Sequence, residues 1–494
     1  MKRGAATGAL LVVGGLLAAC AGTPSDVAVA PGPTTSALGR AAPAATTTTT
    51  PPAPTTTTTA APAPGGQGAA GVGDALYPDL GNGGYDVGHY DLALATDPNG
   101  ALTATATIDA TATAPLTSFD LDLAGLTVDA VTVGDTPATW TRTSDELIVQ
   151  PATALASGAV FRVVVRYHGV PGEGAMATFG VPVGWIRTPD GSYVINEPDG
   201  ARSWFPSNDH PSDKATFTFH VTVPTGTAAV ANGTPSPPEP AGAAATYTWT
   251  MADPMATYLA TVAVGDYTVR ESSGPHGITI RDAYLRRDAA RVAPCLNLTS
   301  QMIQFFEPMF GTYPFDSAGL LIADSTPGLA METQGRPLFS RDDFVDGCPE
   351  VLISHELSHQ WFGDAVTPAR WRDIWLNEGF ATYGEWLWGT KGDPATMDRL
   401  AANARDDLNR AGAKASPIGD PTVDSLFAFP VYQGGAAVLQ ALRDEVGDST
   451  FFTILQQWVA RYRGRSATTD DFIATASDVA GRDLGPFLRA QLAA

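Results

Sequence analysis

Two histidines and two glutamates carry the chemistry of this chain. In PEVLISHELSHQWFGDAVTPARWRDIWLNE, His355 and His359 stand four residues apart, with Glu356 beside the first. Four residues make about one helical turn, so both imidazoles share a face. Two imidazoles at that spacing can bind one Zn²⁺, and Glu356 can hold a water against it as general base. A zinc site that does chemistry needs a third protein ligand and one open position. Glu378, in WLNEGFATYGEWL, is the candidate for that ligand. Between them lies a turn (Gly363, Asp364, Thr367, Pro368), then a second helix able to return antiparallel to the first. With only seven histidines in the chain, an accidental HExxH is expected roughly once in several hundred such sequences. Glu385 shares the helix face of Glu378, where it either orients a ligand or is a solvated charge.

Those residues must be positioned by the elements around them. Pro349 suits the first turn of the helix bearing the histidines. LNLTSQMIQFFEPMFG (296–311) predicts another helix and AGLLIADS (318–325) a buried strand. Further helices are expected near 394–411, 431–446, 449–463 and 469–478, with a docked terminal helix in 484–494. The earlier part reads differently. HYDLALAT (89–96), LTATATIDATATA (102–114), FRVVVRYH (161–168) and ATFTFHVTVP (215–224) alternate with period two between Gly, Pro and Asp turns. The pattern predicts an antiparallel β domain over 76–270 and an α+β catalytic domain over 271–494.

Composition bounds the setting. Hydrophobic residues make up 44% and charged residues 16%, which suits packed cores. A net charge of −22 without a compact basic run argues against nucleic acid and against a polybasic membrane patch. Nothing in the chain implies a partner protein. Residues 1–19 read as an export signal: Lys2 and Arg3 precede an apolar run, Ala9 to Ala19, too short to span a bilayer once mature. Leu17-Ala18-Ala19-Cys20 resembles the lipobox of bacterial lipoproteins. That resemblance implies cleavage before Cys20, lipid on it, and a protein anchored to the cell membrane and facing outside the cytoplasm. The alternative is a plain secretory signal with Cys20 merely nearby. Residues 20–75 are mostly Ala, Pro, Thr and Gly and read as a disordered stalk. Cys295 and Cys348 remain, as a disulfide in an oxidising compartment or as two buried thiols.

HELSHQWFGDAVTP and WLNEGFATYGEWL resemble the gluzincin aminopeptidases, the family of aminopeptidase N and leukotriene hydrolase. LAMETQ (329–334) is similar to the family's G-x-M-E-N signature. NEPDGARSWFPSNDHPSDKA (196–215) is similar to its sheet-domain motif, and YQGGAAVLQAL (432–442) to its tyrosine motif. The resemblance covers residue 77 to the end and implies a thermolysin-like catalytic fold with one Zn²⁺. It also implies that the Tyr432 hydroxyl stabilises an oxyanion, and that Glu332 and Glu197 receive the free N-terminus of a peptide substrate beside Met331. Leu329, Thr333 and Gly434 depart from the family patterns. The chain also stops where family members usually continue into a helical domain, which implies a shortened two-domain form with a more open cleft. A thermolysin-like endopeptidase and a decayed surface binding protein are the competing readings.

Overall fold

The structure, a computed structural model, describes residues 66–493 apart from 98–99, 176–179, 181, 326–328 and 413–415. The export signal and Cys20 lie outside the described residues. The alternating runs form one large sheet. Its principal strands are β1 (Tyr85–Thr96), β2 (Leu102–Ala112), β3 (Thr127–Val133), β4 (Val160–Gly169), β5 (Lys214–Pro224) and β6 (Ala244–Ala256). They lie side by side in the order β6-β5-β1-β2-β4-β3. These pairings are antiparallel except β5 beside β1, which the long intervening chain makes parallel. In β2 the apolar residues Leu102 to Ala112 are buried at every second position, while the threonines between them face outward. A second sheet of short strands includes Gly191–Ile195, and Glu197 lies just beyond it.

Residues 66–75, expected to belong to the stalk, are part of the folded structure. Gly66–Gln67 already pairs beside Leu116–Asp122. Asp74 is buried, and its carboxylate accepts hydrogen bonds from the backbone N–H groups of Leu76, Tyr77 and Trp371 and faces His210 at 3.2 Å. A single well-bonded aspartate thus anchors a Gly- and Ala-rich stretch that apolar periodicity does not mark.

In the second half, β7 (Tyr267–Ser273) lies astride residue 270 and pairs antiparallel with β8 (Thr279–Leu285). β9 (Leu321–Ala323) and β10 (Leu338–Ser340) continue that sheet in parallel. α1 (Leu298–Phe310) occupies the β8–β9 connection; α2 (Glu350–Ser358) and α3 (Trp375–Thr390) follow β10. Pro349 stands at the cap of α2 rather than inside its first turn. α4 (Pro394–Ala411), α5 (Gly435–Val446), α6 (Asp448–Tyr462), α7 (Thr469–Ala480) and α8 (Gly485–Leu492) complete the helical layer. This is the mixed fold expected, a β-sheet part followed by an α+β part. Cys295 and Cys348 are bonded, with Cα atoms 5.4 Å apart, so the approach to α1 is tied to the approach to α2. A bridge of this kind contributes about 2–4 kcal/mol. Among the described residues no helix is long and apolar enough to cross a membrane.

Aromatic side chains hold the catalytic helices together. Phe306 and Phe310 of α1 stack at 4.9 Å between ring centroids, and Trp361 and Phe362 pack edge-on against Phe310. α3 touches its neighbours through glycines. A Cβ on Gly379 would meet the Gly435 Cα at 2.9 Å, so these two backbones pass where no larger residue fits. That contact brings the segment carrying Tyr432 against the segment carrying Glu378.

Candidate active site

α2 ends at Ser358, and His359 follows as its capping residue with helical backbone angles. The four-residue spacing therefore still places both imidazoles together. His355 Nε2 lies 3.3 Å and His359 Nε2 3.4 Å from the same Glu378 oxygen, Oε2. His359 Nδ1 donates to the Phe362 carbonyl at 3.1 Å, which leaves the Nε2 lone pair free. His355 Nδ1 faces Glu385 Oε2 at 3.4 Å. Zn²⁺ held tetrahedrally at about 2.0–2.1 Å needs donor atoms roughly 3.3–3.4 Å apart. Both nitrogen-to-carboxylate separations meet that requirement, and the three buried donors all lie within 4.8 Å of one another. Burial opposes ionisation of Glu378, but the facing His359 and His355 hold its carboxyl at about 2.

Three further carboxyls surround this trio. Donor atoms of Glu332, Glu356 and His359 lie within 4.8 Å of one another, and so do those of Glu197, Glu332 and Glu378. Burial pushes the Glu356 carboxyl up to about 8, against the pull of His355 and His359. Burial raises Glu332 despite His359, and raises Glu197 well above the carboxylate range with Glu332, Glu378 and Glu356 adding to the effect. Glu197 Oε1 and Glu332 Oε1 are buried without a hydrogen-bond partner. Buried polar atoms without a partner are costly, and two side by side point to a cationic ligand.

Tyr432 falls in a π-helical turn, Pro430–Gly434, where a continuous α-helix was expected. π turns occur often at functional sites because they re-aim a side chain. Its ring stacks on His355 with centroids 5.8 Å apart and an interplanar angle of 12°. Burial, then Glu378, raises its hydroxyl well above the usual phenol range, so it remains a donor. Gly434, which departs from the family pattern, packs where a Cβ would meet Ile418 at 2.9 Å. Met331 is buried, and its backbone pairs with Leu338. The structure thus gathers His355, Glu356, His359, Glu378, Glu385, Glu332, Glu197 and Tyr432 in one place.

Sequence reasoning passed over Lys214, at the start of β5. Its ammonium donates to the Asp364 carbonyl at 2.6 Å and to Thr367 Oγ1 at 2.8 Å, pinning the turn between α2 and α3. Burial pushes it down to about 7, against Asp364 and Asp253. Its place in the motif NEPDGARSWFPSNDHPSDKA was the available signal.

An α+β catalytic layer holding an HExxH pair and a helix-borne glutamate defines a gluzincin-type metallopeptidase. The profile described as Peptidase family M1 domain matches residues 295–490, and that described as Peptidase M1 N-terminal domain matches 87–259. A mutant of an M1 zinc metallopeptidase from Deinococcus radiodurans, crystallised with a Tyr-Ser-Ala substrate, superposes with a TM-score of 0.79 at 32% identity. The match covers 86% of this chain and 98% of that one. The thyrotropin-releasing hormone-degrading ectoenzyme of Mus musculus is 29% identical over 338 residues, 61% of this chain but 31% of its own length. Probable aminopeptidase 2 of Sulfurisphaera tokodaii is 29% identical over 317 residues, 59% of this chain and 40% of its own length. The chain thus spans less than half the length of these curated relatives. It belongs to peptidase family M1.

Proposed function

We propose that this protein is a zinc aminopeptidase that removes N-terminal residues from peptides outside the cytoplasmic membrane. One observation carries the reading: Glu197 Oε1 and Glu332 Oε1 lie buried and unpartnered beside the candidate metal ligands. His355, His359 and Glu378 would hold the ion, which supplies Lewis acidity toward the scissile carbonyl and its attacking water. Glu356 takes the proton from that water and passes it to the departing amine, its burial making it a stronger base once ionised. The Tyr432 hydroxyl donates to the oxygen on which negative charge develops. Glu385, beside His355 Nδ1, orients that imidazole. Glu197 and Glu332 accept hydrogen bonds from the substrate ammonium, each contributing about 1.5–3 kcal/mol. An acetylated terminus offers no positive charge and leaves both carboxyls desolvated without a partner.

The test compares free-amine peptides with N-acetylated copies of the same sequences. Rapid cleavage of the first and little of the second is expected. Efficient cutting inside the acetylated peptides would overturn this reading in favour of an endopeptidase. The peptide bound to the Deinococcus radiodurans relative and the name of the Sulfurisphaera tokodaii relative agree with a peptide substrate.

The proposed location rests on Leu17-Ala18-Ala19-Cys20 and the apolar run before it. Lipid on Cys20 would anchor the enzyme to the membrane through the Ala-, Pro- and Thr-rich stretch. Cys20→Ser is expected to release active enzyme from the membrane fraction, and unchanged partitioning would overturn the anchor.

A further inference from the structure

Gln360 follows His359, is wholly buried, and reaches one loop with both ends of its amide, while the Tyr313 hydroxyl also donates to its Oε1 at 3.5 Å and Asp364 lies against its side chain. Its Oε1 accepts a hydrogen bond from the Gly335 backbone N–H at 2.7 Å, and its Nε2 donates to the Glu332 carbonyl at 3.2 Å. The loop is closed on itself. Met331 and Leu338 exchange both backbone hydrogen bonds at 2.8 and 2.7 Å, and the Arg336 N–H returns to the Thr333 carbonyl at 2.9 Å. Its other supports come from elsewhere in the fold. The Arg336 guanidinium donates to the carbonyls of Ala231, Gly233 and Arg281, and Asn232 Nδ2 donates to the Gln334 carbonyl at 3.1 Å. Gln360 differs in origin, because it sits one residue past a candidate metal ligand.

We propose that Gln360 is a positioning residue that sets the distance between the metal-binding histidines and the ammonium anchor at Glu332. The inference rests on the aminopeptidase reading above and concerns how the enzyme measures one residue from the terminus. His355, His359 and Glu378 fix where the scissile carbonyl sits, and Glu332 fixes where the ammonium sits. Those two points belong to a single residue of the substrate, joined through one Cα, so an error in their spacing cannot be absorbed by the peptide. The Gln360 amide is a short, buried strut between the segments carrying the two groups. Removing it leaves the Gly335 N–H and the Glu332 carbonyl without that partner, so the loop shifts while the metal ligands stay in place.

The experiment uses two inhibitors of purified zinc-loaded enzyme. L-leucine hydroxamate carries a free ammonium and a metal-chelating group, and acetohydroxamate carries the chelating group alone. In the wild type the first should bind more tightly. Gln360→Met keeps most of the side-chain volume and loses both hydrogen bonds to the loop. It is expected to weaken L-leucine hydroxamate by about 10-fold or more, the order of cost of a misplaced binding group, with acetohydroxamate binding and zinc content unchanged. On substrates the same variant should raise KM more than it lowers kcat. Gln360→Glu keeps the acceptor for Gly335 and loses the donor to Glu332, so it should move discrimination in the same direction and stands in should the Met variant not fold. Full discrimination in either folded variant, or equal weakening of both hydroxamates, overturns the proposal. Equal binding of the two by wild-type enzyme overturns the ammonium-anchor reading itself, and this inference with it.

Discussion

The candidate metal-binding trio and the carboxyl pair beside it are built by opposite means. His355, His359 and Glu378 come from two helices adjacent in the chain, and each donor faces another at 3.3–3.4 Å. The facing imidazoles favour the carboxylate form, so Glu378 stays ionised despite burial. Glu197 and Glu332 come from different parts of the fold, one just past a short β-strand and the other from the loop before β10. Both point an unpartnered oxygen into the interior, and burial raises both. The trio is locally assembled and electrostatically complete once a cation is bound. The pair is assembled only by folding, and on the proposed reading its free oxygens receive a second, different cation. The same residue type therefore serves two purposes, decided by what faces it.

The largest test of this contrast is Glu356→Gln. It should lower kcat by about 10²–10⁴-fold while metal content, read by elemental analysis, stays at one ion per chain. Loss of the ion would place Glu356 among the ligands rather than beside them. Tyr432→Phe should follow at about 10²–10³-fold in kcat, the usual cost of one donor to an oxyanion, with zinc retained. Because its ring packs on His355, wild-type turnover in that variant would reduce Tyr432 to packing.

Glu332→Ala acts on the other half of the comparison. It should reduce the preference for free-amine over N-acetylated peptides by about 10–100-fold, mainly through KM, since one charge-assisted bond contributes about 1.5–3 kcal/mol. A pure kcat effect would assign Glu332 to the reacting centre instead. Gly379→Ala tests how Tyr432 is brought to the trio. Its Cβ would press on the Gly435 backbone at 2.9 Å, so chemical unfolding should show a loss of about 1–3 kcal/mol, accompanied by lower kcat.

The smallest effect comes from a buried carboxyl outside this cluster. Asp282 also has an oxygen without a hydrogen bond, but it faces Arg270 at 3.7 Å, and its other oxygen accepts the Leu320 N–H. Burial pushes it up to about 7 from 3.8, opposed by Leu320, Arg270 and Arg336. A raised folded value means its stabilising contribution is complete below about 3.8 and is lost as pH rises through about 7. Asp282→Asn should therefore flatten the stability profile over that interval by roughly 1–3 kcal/mol, measured by urea unfolding across pH, and leave the peptide preference untouched. An unchanged profile would show that Arg270 already neutralises the group.

Some of this was legible because the information is local. The spacing of His355 and His359 is a property of helical periodicity, and the threonine alternation in β2 is a property of strand geometry, so both survive any tertiary arrangement. The motif around Tyr432 also marked the residue, but not its π turn, which runs into α5 where Gly435 lies against Gly379. The folded start at residue 66 escaped because Asp74 anchors it through partners distant in sequence. Gln360 escaped for the same reason, since an amide inside a helix signature has no pattern of its own.

By itself, then, the order of residues determined most of the elements and pointed to the candidate metal trio and the candidate base. The tertiary structure decided which carboxyls would be left without partners and how far they stand from that trio. The physical reason is range. Helix and strand periodicity act over a few residues, whereas desolvation of Glu197 and Glu332 arises only when β-sheet, loop and helix close around them and exclude water.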